Sequence, residues 1–184
     1  MKIACLGWGS LIWNPESLLI IREWFQDGPI LPIEFARQSN DGRLTLVITE
    51  NAQPVRTLWA LMATTDLEIA KKSLLFREKI NENNLNTFIG CIKADENTTD
   101  KTALIIKEWA IKLKLDAVIW TNLPPKFNSI NNQEPSLEEA IKYLHSLDIN
   151  KRTTAEEYIR RTPKQIDTSF RRKFELEFGW KYLK

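Results

Sequence analysis

The stretch Lys2–Trp13, which reads KIACLGWGSLIW, joins an apolar run to a glycine-rich turn. The run Ile3–Leu6 ends at a glycine, which predicts a short buried β-strand. Gly7 and Gly9 flank Trp8, and glycines at these positions allow positive φ angles and leave room for a ligand to approach the main chain. Successive N–H groups in such a turn can bind an anion or a developing oxyanion. The alternative is a tight turn in which the glycines serve only the backbone.

The residues around this turn exclude three familiar glycine motifs. A dinucleotide-binding fingerprint would need a third glycine at position 12, which is Ile12. A Walker loop would need Gly-Lys followed by Ser or Thr, and a nucleophile elbow would need Gly-x-Ser-x-Gly. Neither motif is present in the turn.

Composition and charge favour one domain with a full hydrophobic core. Of 184 residues 43% are hydrophobic, and 26 basic against 24 acidic residues give a formal net charge of +2. This near balance argues against nucleic acid as a partner. No run approaches the roughly 18 apolar residues of a membrane span, and the first residues lack the pattern of a signal peptide. We expect a single cytoplasmic domain over residues 1–184, without membrane contact.

The cysteine and histidine content predicts no metal site. Cys5 and Cys91 lie in apolar runs, which is typical of buried thiols in a reducing compartment. Their spacing is not that of metal ligands, and His145 is the single histidine, so no zinc cluster is expected.

Strand patterns follow the glycine turn. A helix is predicted over Pro15–Phe25, and a strand over Leu31–Ser39, where apolar residues alternate. The Asp-Gly pair at 41–42 favours a type I′ hairpin turn. Further strands are predicted over Arg43–Thr49 and Val55–Met62, so three consecutive antiparallel strands would form a meander.

Arg37 continues the apolar face of the strand Leu31–Ser39, which is an unusual place for a guanidinium. Arg37 either reaches solvent from the end of the strand or binds a carboxylate. Both interpretations remain open, and Arg43 is a weaker candidate for the same role.

The helix predicted from Asp66 to about Lys79 carries a candidate general base. Glu78 lies one turn after Leu74, on the apolar face of this helix. Burial, the helix C-terminus and the nearby Glu82 would all raise the pKa of Glu78, as a base working near neutrality requires. The alternative is a carboxylate at a frayed helix end, paired with a neighbouring basic residue or solvated.

The second half of the chain reads mainly as helices. Strands are predicted over 87–93 and 116–121, and helices over 101–115, 136–147 and 153–161; in the first of these helices Leu104 and Ile105 are assigned to the partly buried face. The tail 168–184 mixes basic and aromatic residues, which can mark a nucleic-acid surface. The interleaved Glu175 and Glu177 favour an amphipathic docking helix instead.

Two segments resemble the gamma-glutamylcyclotransferase-like superfamily. Trp8-Gly9-Ser10-Leu11 is similar to the Tyr-Gly-Ser-Leu loop that follows the N-terminal strand of that family, with Trp8 in place of the tyrosine. Ile12-Trp13 is similar to the Met-Trp that follows in the glutathione-degrading branch. Arg77-Glu78-Lys79 matches the segment that carries the catalytic glutamate of that branch. The similarity covers mainly residues 2–80.

The resemblance implies an α+β fold, a small and mostly antiparallel β-barrel with flanking helices, with residues 135–184 as a helical elaboration. It implies an enzyme that releases 5-oxoproline from a gamma-glutamyl peptide or amine without metal or cofactor. The substrate's own α-amine would attack its γ-carbonyl, with Glu78 as the base. Substrate binding would fall to Arg37 and to the loop residues Gly7, Trp8, Gly9, Ser10 and Leu11, with Ser10 as a hydrogen-bond donor.

Two other functions remain open on the same residues. One is a different amide or amine transfer that uses Glu78 as its base. The other is a non-catalytic domain that binds a small molecule or a protein, with the tail helix as its contact surface. Because fold analogy alone does not establish a reaction, the position of Glu78 in the structure is the first thing to establish.

Overall fold

The computed structural model describes residues 1–183 as a mixed α+β architecture. The strands are β1 (Ile3–Gly7), β2 (Ile30–Gln38), β3 (Leu44–Ile48), β4 (Pro54–Arg56), β5 (Leu58–Leu61), β6 (Ile89–Lys93), β7 (Ala117–Thr121), β8 (Lys126–Phe127) and β9 (Ile130–Asn131). The helices are α1 (Leu67–Arg77), α2 (Leu85–Phe88), α3 (Lys101–Lys112), α4 (Leu137–Ser146), α5 (Ile149–Arg161) and α6 (Ser169–Phe178).

The strands form two mixed sheets, which confirms the α+β class. Neither sheet closes into a barrel within the described residues, so the predicted barrel is not confirmed. Across residues 1–183, no helix is long and apolar enough to cross a membrane.

The chain packs into two compact units. Unit 1 consists of Met1–Gly7, Asn14–Leu31 and Arg56–Leu123. Unit 2 consists of Trp8–Trp13, Pro32–Val55 and Pro124–Lys184. The assignment of residues 1–184 to a single domain stays a prediction.

The sheet of unit 1 is organised around β1. Its strand order is β5-β1-β7-β6, with β1 antiparallel to β5 and parallel to β7, and β6 antiparallel to β7. Every residue of β1 is buried, because the strand has a neighbour on each side. The buried strand predicted over Ile3–Leu6 is therefore confirmed.

The segment Pro15–Phe25 forms no helix, and that prediction is wrong. The N–H groups of Ile21 and Phe25 donate to the backbone oxygens of Leu61 and Trp59, at 2.8 Å each. These donors bond along the edge of β5 and so cannot form the ladder of a helix.

The predicted meander is also wrong. β2 and β3 form the expected antiparallel hairpin, but β4 pairs with β2, and β5 pairs with β1 in the sheet of unit 1. Alternation along a strand indicates which of its faces is buried, but it does not determine the partner of the strand.

The sheet of unit 2 is organised around β2. The strand is antiparallel to β3 and parallel to β8, which is antiparallel to β9. Ile33 and Phe35 are buried as the alternation predicts, but Glu34 and Ala36 on the other face are buried too. The register shifts after Phe35, so Arg37 follows a bulge instead of continuing a regular alternation.

The observed helix starts are set by N-cap residues, and in α5 the start differs from the predicted one. Ser136 and Glu139 form the expected capping box of α4. α5 starts at Ile149, four residues before its predicted start, because Asp148 is its N-cap and accepts two backbone N–H groups.

The predicted buried face of α3 is wrong. Leu104 and Ile105 are exposed, and the buried side chains belong to Ala103, Ile106 and Ala110. The apolar residues of α3 lie on more than one side of the helix, so the sequence allows two choices of buried face. Packing within unit 1 determines which of the two is buried. The tail helix α6 is amphipathic as predicted, with Phe174 fully buried.

The turn between β2 and β3 differs from the predicted type I′ turn. The Ser39 N–H donates to the Arg43 carbonyl at 2.9 Å, so the loop has three residues, 40–42. Of these, Gly42 alone has a positive φ, 91°. A type I′ turn needs positive φ at two residues, whereas a three-residue loop needs it only at the last.

Asp41 fixes this loop through Ser39 and Arg43. Its carboxylate accepts from the Ser39 hydroxyl and from Arg43 Nε at 3.0 Å, and it pairs with Arg43 Nη2 at 2.8 Å. Burial raises the pKa of the Asp41 carboxyl, but the hydrogen bonds from Arg43 and Ser39 and the Arg43 charge outweigh it. The pKa of Asp41 is therefore lower than usual.

We expect Asp41→Asn to lower the free energy of unfolding at pH 7 by about 0.5 kcal/mol, a value that allows for solvent screening of this half-exposed pair. A lowered pKa stabilises the fold above the unfolded value near about 3.9, and this contribution is lost as pH falls through the folded value. Urea unfolding of both proteins should therefore show a difference at pH 7 that disappears near pH 2. The exposed Asp95→Asn is the control; an equal difference at both pH values would exclude the ionic contribution.

Candidate active site

Glu78 occupies the C-cap of α1. The helix begins where the Asp66 carboxylate accepts the N–H groups of Glu68 and Ile69. It ends in a Schellman motif: Lys79 has a φ of 56°, its N–H donates to the Phe76 carbonyl, and the Ile80 N–H donates to the Leu75 carbonyl. Glu78 therefore lies at a well-defined helix end and not at a frayed one.

Arg77 holds the Glu78 carboxylate in place. Arg77 Nη1 donates to Glu78 Oε1 at 2.9 Å, while Nε and Nη2 both donate to the Asn14 carbonyl, at 3.1 and 2.7 Å. The exposed fraction of the side chain is 7% for Arg77 and 18% for Glu78. The predicted alternative of an ion pair at α1 is present, but in an enclosed position where charge-assisted hydrogen bonds orient the carboxylate.

Cys5, in the middle of β1, lies close to this ion pair. Burial raises the pKa of the Cys5 thiol, and the Glu78 charge raises it further, although the Arg77 charge opposes the shift. The thiol is therefore protonated at neutral pH and is not a nucleophile.

The segment from Trp8 to Ile12 forms a turn in unit 2. The Ile12 N–H donates to the Gly9 carbonyl at 3.0 Å. None of residues 7–12 has a positive φ, so the turn does not use the conformations that Gly7 and Gly9 allow. The alternating right-handed and left-handed residues of an anion-binding nest are accordingly absent here.

Gly9 is needed for space. A Cβ atom at this position would lie 2.4 Å from Tyr158 Oη, far inside van der Waals contact. Tyr158 is buried on α5, and its hydroxyl accepts from the Leu46 N–H at 3.3 Å. The ring packs edge-on against Trp13, 5.5 Å between centroids, and the Arg43 guanidinium lies 5.3 Å from its centroid.

Tyr158 was missed by the sequence analysis. It lies 149 positions after Gly9, and nothing in the local pattern of α5 distinguishes it from an ordinary core aromatic. Its importance follows only from the contact with the glycine turn.

Trp8 and Leu11, both candidate substrate-binding residues, have buried side chains. The indole Nε1 of Trp8 donates to the Leu46 carbonyl at 3.1 Å, so its one polar hydrogen is used within unit 2. These two residues can therefore contact a ligand only through their backbone groups. Ser10, between them, is half-buried.

Arg37 is half-buried, and burial lowers the pKa of its guanidinium, which still remains charged near neutrality. Arg37 Nη1 donates to the Pro124 carbonyl at 2.6 Å. Among residues 1–183, no carboxylate pairs with this guanidinium, whereas Arg43 is paired with Asp41. A half-buried cation without a carboxylate partner suits the binding of an anionic ligand group.

The candidate residues are divided between the two units. Glu78 and Gly7 belong to unit 1, and Trp8–Leu11 and Arg37 belong to unit 2.

In the described part of the chain, no three His, Cys, Asp or Glu side chains are grouped to hold a metal ion. No protein-family model matches the chain, and no curated protein or solved structure is significantly similar to it.

Proposed function

We propose that the protein is a gamma-glutamylcyclotransferase-like enzyme that releases 5-oxoproline from a gamma-glutamyl peptide or amine. The observation that carries the proposal is the enclosed Glu78 carboxylate, which is oriented by Arg77, itself held by the Asn14 carbonyl. A general base needs a fixed position and restricted access to water, and Glu78 has both.

In the proposed reaction the substrate supplies its own nucleophile. Glu78 accepts a proton from the substrate α-ammonium, and the free amine attacks the γ-carbonyl carbon to form the five-membered ring. The bond from the γ-carbon to the leaving nitrogen then breaks, and a proton passes to the departing amine. The reaction adds no water, so the substrate yields 5-oxoproline and one amine.

Arg37 supports the proposal as a partner for the substrate α-carboxylate. It is a half-buried guanidinium of unit 2, and among residues 1–183 it has a carbonyl partner and no carboxylate partner. The backbone N–H groups of the turn Gly7–Leu11 are proposed to stabilise the oxyanion, with Ser10 as a further donor.

Two broader expectations belong to this proposal. The first is the β-barrel of the family, supported by the antiparallel pairs β1–β5, β6–β7 and β2–β3. The second is a cytoplasmic location, supported by the free thiols of Cys5 and Cys91.

The position of Trp8 supports one alternative. The tyrosine hydroxyl of the family is replaced by an indole whose N–H is bonded to the Leu46 carbonyl. A different amide or amine transfer with Glu78 as base would not need that hydroxyl.

The test is a substrate panel. The purified protein is incubated with glutathione, gamma-glutamyl dipeptides and gamma-glutamyl amines, and 5-oxoproline is measured by mass spectrometry. We expect product from at least one free amine substrate and none from its N-acetylated form, because acetylation removes the nucleophile. No product from any substrate with folded protein would contradict the proposal and favour a binding domain.

A further inference from the structure

Unit 2 contains a small polar cavity where several elements end. Its volume is about 270 Å³, just below the roughly 300–1,000 Å³ of pockets for drug-sized ligands. The β2–β3 turn, the β8–β9 hairpin and the α4–α5 junction contribute its walls. The residues that the argument uses are Gln38, Gly42, Lys126, Ser129, Tyr143 and Lys151.

Lys126 lines the cavity without a carboxylate partner in the described part of the chain. The residue is half-buried on β8, and among residues 1–183 its ammonium has no ion pair and no hydrogen bond. Lys151 lines the same cavity, and its one carboxylate partner, Asp148, lies 3.8 Å away. An anion bound in the cavity would neutralise the positive charge that the two lysines bring to it.

Hydrogen bonds hold the walls of the cavity in place. Tyr143 Oη donates to the Gly42 carbonyl at 3.0 Å. Gln38 Oε1 accepts the Asn128 N–H at 3.0 Å. Asn128 and Ser129 have φ values of 49° and 66°, the type I′ pattern of a two-residue hairpin, which fixes the position of Ser129.

We propose that this cavity binds the phosphate group of a small phosphate compound. Two lysines and a serine from different elements line the cavity, and this set suits a multiply charged, tetrahedral anion. A planar carboxylate is more often recognised by the fork of an arginine, and no arginine lines the cavity in the part of the chain that is described. The site consists of residues of unit 2 and is independent of the proposed reaction at Glu78.

The test is isothermal titration of the full-length protein at constant ionic strength. The ligands are inorganic phosphate, glycerol phosphate, malate and chloride, and the variants are Lys126→Gln, Lys151→Gln and Lys164→Gln. Lys164 is exposed elsewhere in unit 2, so its variant makes the same charge change outside the cavity.

We expect saturable binding of phosphate or its ester, weakened by about tenfold or more in Lys126→Gln and in Lys151→Gln but not in Lys164→Gln. Tighter binding of the ester than of free phosphate would identify an organic phosphate as the ligand. The proposal is overturned by no saturable binding up to about 10 mM, by equal binding in all variants, or by tighter binding of malate. Thermal unfolding of each variant confirms that a weaker signal is not a loss of fold.

Discussion

Glu78→Gln should reduce the rate of 5-oxoproline release by about 10²–10⁴-fold, the usual contribution of a general base. The glutamine has the same shape and keeps an oxygen that can accept the hydrogen bond from Arg77 Nη1. The capacity to accept a proton is lost, together with the negative charge that pairs with Arg77. We therefore expect kcat to fall while KM stays close to that of the wild type. The thermal unfolding temperature should also fall, because the buried Arg77 loses its ion-pair partner.

Glu82→Gln is the matched control for this variant. Glu82 lies four residues after Glu78 in the chain, but its side chain is exposed. The Glu82→Gln variant should retain full activity, because the same chemical change should matter only at the enclosed position of Glu78. Activity of Glu78→Gln within about twofold of the wild type would show that Glu78 is not the base.

Gly9→Ala should destabilise the protein by about 1–3 kcal/mol, the cost of forcing an extra methyl group into a packed site. The new Cβ would lie 2.4 Å from Tyr158 Oη but 3.3 Å from the ring carbon that carries it. Tyr158→Phe removes the clashing oxygen, at the cost of its hydrogen bond with the Leu46 N–H. We expect the double variant to lose less free energy of unfolding than the sum of the losses in the two single variants.

The measurement is a double-mutant cycle on the free energy of unfolding. We expect a coupling of about 1 kcal/mol or more between Gly9→Ala and Tyr158→Phe. Tyr143→Phe is the control, because that hydroxyl bonds to the Gly42 carbonyl and should give no coupling with Gly9→Ala. Additive losses for the Gly9 and Tyr158 pair would mean that the turn relaxes away from the tyrosine.

Local signals predicted the elements that carry the candidate site. The apolar run before Gly7 identified β1, and the N-cap Asp66 together with the apolar spacing identified α1 and the enclosed position of Glu78. These features depend on residues a few positions apart, so a single sequence contains them.

Contacts between distant residues could not be predicted in the same way. β1 pairs with β5 and with β7, which lie far along the chain, and no local pattern encodes these partners. The Asn14 carbonyl that holds Arg77 is 63 positions away in the chain. Gly9 illustrates the difference: a glycine there allows positive φ, but the reason for it is the distant Tyr158.

The fate of the oxygen from water tests the proposed reaction most directly. A gamma-glutamyl substrate is incubated with the enzyme in ¹⁸O-labelled water, and the products are weighed by mass spectrometry. If the substrate amine is the nucleophile, the γ-carbonyl oxygen is retained and 5-oxoproline carries no label. Glutamate with one ¹⁸O in its γ-carboxylate would show instead that water attacks the γ-carbonyl, and would contradict the cyclotransferase mechanism.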